Sequence, residues 1–286
     1  TLDVDKTKAK VEDLKSQGRL PKIAMFGGSV FLFPHPVKEL ADFLKGHGMH
    51  INYDAAHVAG LIAGGKFQDP LREGTDTMTM STHKTLFGPQ GGLVLGFEKH
   101  AEPIKKAMFP GLTSSHHIHH MGAKAVAFAE ALEFGTDYAE QTIKNAKALA
   151  SELNNVGFKV LGEKRGYTES HQTVVNVLDY GDGGSIEADL EKANIIVNRQ
   201  LIPGDLKANR HYMHPGGIRL GTSEITRLGM KESEMKEIAL LIKQVVVDKK
   251  DAGEVAAHVK EFKTDFKKTQ YCFDNKLGAY EYVKLR

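Results

Sequence analysis

The stretch MTMSTHKTLFGPQGG, Met78 to Gly92, sets one lysine between a short alternating run and a glycine-rich turn. A lysine binds carbonyl electrophiles when some neutral amine is available near pH 7, which burial or a neighbouring cation brings about. His83 stands directly beside Lys84. Taken alone, the residue reads first as a solvated turn lysine, since most lysines lie on the surface. Earlier in the chain, NYDAAHVAGLIAGG, Asn52 to Gly65, carries Asp54 and His57 at the end of an apolar run, followed by small residues that permit close backbone approach. An aspartate turn cap and a satisfied histidine would explain that segment without any chemistry. A carboxylate at such a point also keeps a heterocyclic nitrogen protonated, and together with the lysine it points toward a pyridoxal phosphate site.

The elements that must position these groups are legible as an α/β alternation. KIAMFGGS (Lys22 to Ser29) is a buried strand ending in a glycine turn, and PVKELADFLKGHG (Pro36 to Gly48) is a crossover helix with Val37, Leu40, Ala41 and Leu44 on one face. HINYD delivers Asp54 at its carboxyl end, where open α/β sheets place their ligands. DTMTMST delivers His83 and Lys84 at its own end, and GGLVLGF is the strand beyond the turn. A long helical pattern begins in the SSHHIHH region and carries on to Gly157. Residues 1–133 are expected to belong to a large domain. Residues 134–286 are expected to form a small α+β domain, with strand candidates at 172–180, 195–200 and 217–222 and a helix near 185–194. GDGGS (Gly181 to Ser185) lacks a phosphate-loop fingerprint and reads as the turn before that helix.

Composition narrows the class. With 286 residues and 41% apolar content the chain can bury a sizeable core. A formal charge of +2, scattered rather than clustered, leaves no electrostatic footprint for nucleic acid or a membrane surface. The single cysteine, Cys272, excludes an internal disulfide and a multi-cysteine metal site, and suits a reducing cytoplasm. No apolar run approaches a membrane span and no signal pattern opens the chain, so a cytoplasmic location is expected.

Four segments in order, NYDAAHVAGLIAGGKFQDPL, MSTHKTLFGPQGGLVLG, FPGLTSSHHIHH and GGIRLGTSEITRLGM, closely resemble the serine hydroxymethyltransferase family in its archaeal form. That resemblance covers nearly the whole chain. It implies a fold-type I pyridoxal-phosphate transferase, similar to aspartate aminotransferase, with part of the large domain followed by the small one. Lys84 matches the residue that holds the cofactor covalently, and Asp54 the carboxylate paired with the pyridinium nitrogen. His57 and Ser29 match residues touching the ring hydroxyl. Thr82 and His83 match the pair flanking the lysine linkage, and Arg219 the arginine that grips the substrate carboxylate. The implied reaction moves a one-carbon unit between serine and a reduced pterin, tetrahydrofolate or tetrahydromethanopterin, giving glycine, in a homodimer or higher homo-oligomer. Which pterin serves does not follow from these residues.

Departures accompany the matches. Bacterial relatives carry Pro-Arg-Gly-Gly where this chain has Pro89-Gln90-Gly91-Gly92, and a glycine pair where it has Ser114 and Ser115, which are retained as phosphate candidates. The resemblance also implies a segment preceding Thr1 that carries the main phosphate loop, so the chain by itself is expected to be poorly active. HHIHH offers a rival chemistry, since His116, His119 and His120 on one helical face could hold zinc, but no acidic or thiol partner is close and no metal site is expected. Two other functions stay open: an aldolase for threonine-like β-hydroxy amino acids, and a non-catalytic assembly module.

Overall fold

The computed structural model describes residues 2–274, 276, 278 and 279. The chain divides into two compact units, Thr1–Ala139 and Glu140–Arg286, a division that falls inside one 38-residue helix.

The first unit holds helices α1 (Val4–Ser16), α2 (Val37–Gly46), α3 (Ala59–Ala63), α4 (Pro70–Glu73) and α5 (Ala101–Lys106), together with the start of α6 (Ile118–Asn155). Its strands β1 (Ile23–Gly27), β2 (His50–Asp54), β3 (Thr77–His83) and β4 (Phe87–Gly96) form one sheet in chain order. The first three run parallel and β4 turns back antiparallel on β3. Helix α2 is the expected crossover: Val37, Leu40, Ala41 and Leu44 are its buried residues, and Gly48, at φ +73°, supplies the left-handed conformation that ends the turn. Alternation in β2 buries Ile51 and Tyr53 and leaves His50, Asn52 and Asp54 on the other side. Parallel order therefore brings the ends of β1, β2 and β3 to one rim of the sheet.

The loop after β1 is anchored by its own aromatics. Phe31 is fully buried and stacks on Tyr53 with ring centroids 5.8 Å apart, while the Gly27 amide donates to His35 Nδ1 at 3.1 Å. Gln68 clasps both arms, accepting from the His35 amide and the Tyr53 hydroxyl and donating to the His35 carbonyl. Burial pushes the Tyr53 phenol up and the His35 imidazole down, so both stay neutral.

The second unit contains the remainder of α6 with α7 (Gly183–Lys192), α8 (Ser223–Arg227), α9 (Glu232–Val246) and α10 (Ala252–Phe262). They cover an antiparallel sheet of β5 (Lys159–Val160), β6 (Gln172–Asn176), β7 (Asn198–Gln200) and β8 (Gly217–Gly221), in the order β5-β6-β8-β7. Leu149, Leu153, Val175, Ile186, Ile218, Met235 and Ile242 meet in its core. Buried Asn145 donates to Thr226 Oγ1 and to the Met230 carbonyl, both at 2.9 Å, and so ties α6 to α8. Two strands are shorter than their apolar patterns suggest. The run at 172–180 leaves the sheet after Asn176, whose Oδ1 accepts from the Leu178 amide in a turn, and the run at 195–200 pairs only from Asn198. Asp182 caps α7 through the Gly184 and Ser185 amides, so GDGGS is a helix start.

At the opposite rim of the first sheet Asp76, 7% exposed, accepts from the Ile51 amide at 2.9 Å. Burial by itself would raise this carboxyl, but the amide and the charges of Lys45, His50 and Lys99 outweigh it and hold the pKa below the usual aspartate value. A carboxyl lowered in the folded state adds stability above its unfolded pKa of about 3.9 and loses it as pH falls through the folded value. Asp76→Asn is expected to cost about 1–3 kcal/mol at pH 7 in urea unfolding. Its gap to the parent should shrink as pH drops below about 4; a gap that persists undiminished at pH 3 would contradict the assignment.

Candidate active site

Lys84 lies in the three-residue connection from β3 to β4, at the rim where β2 ends in Asp54. Its Nζ is 3.4 Å from His57 Nε2, so the two motifs read from the sequence meet side chain to side chain. Lys84 is half-buried, and no carboxylate pairs with it among the described residues. Asp54 Oδ1 accepts from the Ala56 amide at 2.9 Å, an Asx turn that starts the segment carrying His57. Asp54 Oδ2 accepts no hydrogen bond among the described residues, leaving one carboxylate oxygen for a further donor.

Thr85 locks this geometry. Its hydroxyl donates to the His57 carbonyl at 2.9 Å and accepts from the Gly60 amide at 3.0 Å. The approach is so close that a Cβ on Gly60 would sit 2.0 Å from the Thr85 carbonyl oxygen. Thr82, fully buried, donates to the Pro89 carbonyl at 2.7 Å and closes the turn, while His83 is exposed and accepts from the Gly91 amide through Nδ1 at 3.3 Å.

The glycines of the turn answer to α6. A Cβ on Gly88 would meet the Thr82 carbonyl at 2.8 Å and Ala127 at 3.3 Å, and one on Gly91 would lie 2.5 Å from Lys124 Nζ. Lys124 thus brings an ammonium beside the turn in which Gln90 stands. Sequence reasoning missed it, since nothing local distinguishes it from any other helix lysine.

Other expected residues are less tightly gathered. Ser29 is exposed two residues past the end of β1, where Gly27 pairs in register with Asp54. Ser114 and Ser115 are exposed in the segment before α6. Arg219 belongs to the second unit, on β8, where Nη2 donates to Asn198 Oδ1 at 2.8 Å; burial lowers its pKa, with Tyr212 acting against that shift. The face proposed for His116, His119 and His120 does not form, because α6 begins only at Ile118 and His116 precedes it. The rings of His117, His119 and His120 cluster instead at 4.5–5.4 Å, with no carboxylate joining them in a metal-ligating group among the described residues.

The parallel strands, crossover helix and rim lysine define an α/β fold of the fold-type I pyridoxal-phosphate transferase class. The chain aligns with L-threonine transaldolase from Pseudomonas fluorescens, solved in its internal aldimine state, with a TM-score of 0.84 and 33% identity, over 96% of this chain and 61% of that one. The family model described as serine hydroxymethyltransferase matches residues 1–242. Relatives named serine hydroxymethyltransferase include one from Nitrosopumilus maritimus, 77% identical over all of this chain and 65% of its own length. Another, from Korarchaeum cryptofilum, is 52% identical over 98% of this chain and 64% of its own. The chain belongs to the serine hydroxymethyltransferase family and spans about 65% of the length of these curated relatives.

Gly60→Ala is expected to lower stability by about 1–3 kcal/mol, because the new methyl must push the Lys84 loop off α3. Urea unfolding measures this; a variant as stable as its parent would show that the clamp is not tight.

Proposed function

We propose that the protein catalyses serine–glycine hydroxymethyl transfer with pyridoxal 5'-phosphate held covalently on Lys84. The observation that carries this is the 3.4 Å approach of Lys84 Nζ to His57 Nε2 beside an aspartate carrying a spare carboxylate oxygen. The donor set fits the group: a half-buried amine with no carboxylate partner among the described residues for the carbonyl carbon, and a rim carboxylate for the ring nitrogen. The cofactor, when bound, supplies an electron sink for cleavage at the amino acid's Cα.

The chain's own residues do the rest. Asp54 would hold the proton on the ring nitrogen, its carboxylate oriented by the Asx turn to the Ala56 amide. His57, 3.4 Å from the Lys84 amine, would contact the ring hydroxyl together with Ser29. Thr82 holds the turn shut, and His83 flanks the lysine at the solvent side. Ser114, Ser115 and the Lys124 ammonium are assigned to phosphate. Arg219 binds the amino acid's carboxylate as a planar fork, fixing which bond at Cα is presented for cleavage. Serine and glycine are the amino acids, and tetrahydrofolate or tetrahydromethanopterin the carbon carrier. A homodimer fits the run of exposed apolar side chains Leu112, Ile118, Val126 and Leu132. A cytoplasmic location is carried by the sequence reading alone.

A second reading, aldol cleavage of threonine-like β-hydroxy amino acids, is favoured by the likeness to a transaldolase. It needs the same lysine, aspartate and arginine but no pterin, so pterin dependence of glycine formation separates the two.

Incubation with pyridoxal phosphate, borohydride reduction and peptide mapping should locate the adduct on Lys84; label spread over surface lysines would overturn the assignment. In whichever length of the protein turns over serine, Lys84→Ala should reduce the rate by at least about 10²-fold. Arg219→Lys should raise the KM for serine by about 10–100-fold, the loss of a charge-assisted bidentate contact.

A further inference from the structure

The opposite rim of the first sheet carries a second group of side chains that the proposed reaction does not use. His50 opens β2, Asp76 immediately precedes β3, and His100 follows β4, whose antiparallel course returns the chain to the amino ends of its neighbours. His50 Nδ1 lies 3.9 Å from Asp76 Oδ2, and His100 Nε2 lies 3.7 Å from Asp76 Oδ1. The two imidazoles stand edge to face with centroids 5.0 Å apart, and one ligand atom from each of the three residues falls within 4.8 Å of the others.

A chain of hydrogen bonds holds the His50 ring. Asn52 Nδ2 donates to Thr79 Oγ1 at 3.3 Å, which turns its Oδ1 toward Thr77. The Thr77 hydroxyl donates to that oxygen at 2.9 Å, and so it accepts from His50 Nε2 at 3.0 Å. This network engages His50 Nε2 and leaves Nδ1 as the ring atom turned toward the Asp76 carboxylate. Close by, His100 Nε2 is buried without a hydrogen-bond partner among the described residues. Two ring nitrogens and a carboxylate thus converge without a hydrogen bond between them among the described residues, a donor set that a divalent cation would close.

We propose that His50, Asp76 and His100 bind a divalent first-row transition ion, with zinc as the type, leaving a fourth position to water. Imidazole and carboxylate are ordinary ligands for such ions, and the Thr77 hydroxyl on the far nitrogen of His50 is the kind of outer support that orients a ligating ring. Ligands about 2.1 Å from a tetrahedral ion are roughly 3.4 Å apart, so the three ligand atoms, now within 4.8 Å of one another, would draw together by up to about an ångström or a little more as the ion binds. Lys45 and Lys99 reach Asp76 Oδ1 at 3.8 and 3.6 Å, and Ile51 donates to Oδ2. Both ammonium groups compete with the ion. The Lys99 side chain is 66% exposed and can turn into solvent when an ion binds. The ion would pin β2, β3 and the segment after β4 at the rim away from Lys84, as a structural site.

The test is titration of zinc chloride into the chelator-treated full chain by calorimetry, with cobalt(II) absorption as a second readout. The background carries His117→Ala, His119→Ala and His120→Ala, which removes the exposed histidine cluster. One equivalent with tetrahedral cobalt bands is expected, weakened at least tenfold in His50→Ala and in His100→Ala, and tightened in Lys99→Ala. Zinc should also raise the unfolding midpoint of the background protein and leave that of His100→Ala unmoved. Lys99→Ala alters an exposed side chain, so it keeps the test valid if a histidine variant fails to fold. Absence of zinc binding in the background protein, or affinity indifferent to His50, His100 and Lys99, would overturn the site.

Discussion

The close approach of α3 to the Lys84 connection is the contact on which the candidate active site depends. Thr85 presents one hydroxyl to the His57 carbonyl and the Gly60 amide together, and the backbones lie so near that only hydrogen fits at the Gly60 Cα. Because that hydroxyl is satisfied on both sides in a buried setting, displacing it would strand two backbone groups from water. The register of Lys84 against His57 follows from this clamp. Gly88 repeats the principle toward α6, where a larger residue would meet the Thr82 carbonyl and Ala127.

Strand direction then sorts the chemistry into two rims. Three parallel strands deliver Gly27, Asp54 and His83 to one edge, the end at which α/β sheets collect ligands. The reversal in β4 has two effects: it makes the lysine connection short, and it carries His100 back to the amino ends of β2 and β3, beside His50 and Asp76. A parallel fourth strand would have needed a long crossover and would have left neither arrangement.

Much of this was visible beforehand, for identifiable reasons. The apolar face of α2 and the alternation in β3 are local patterns with a fixed period, and the structure realises them with the apolar residues inside. Expectations failed where local pattern met a competing local bond or a late helix start. Asn176 draws the apolar run after β6 into a turn, and α6 begins two residues too late for His116 to join His119 and His120. The Lys124 ammonium and the His50, Asp76 and His100 group were beyond reach, being assembled from elements far apart in the chain.

By itself the sequence determined the α/β alternation, the family and the residue types at each strand end, because side-chain periodicity and turn chemistry act over a few residues and need no partner. Only the tertiary structure decided which of those residues meet. The 3.4 Å from Lys84 to His57, the meeting of His50, Asp76 and His100 and the lack of space at Gly60 arise from packing between segments distant in sequence. Steric exclusion and buried hydrogen bonding fix those distances, and both depend on neighbours that no local pattern specifies.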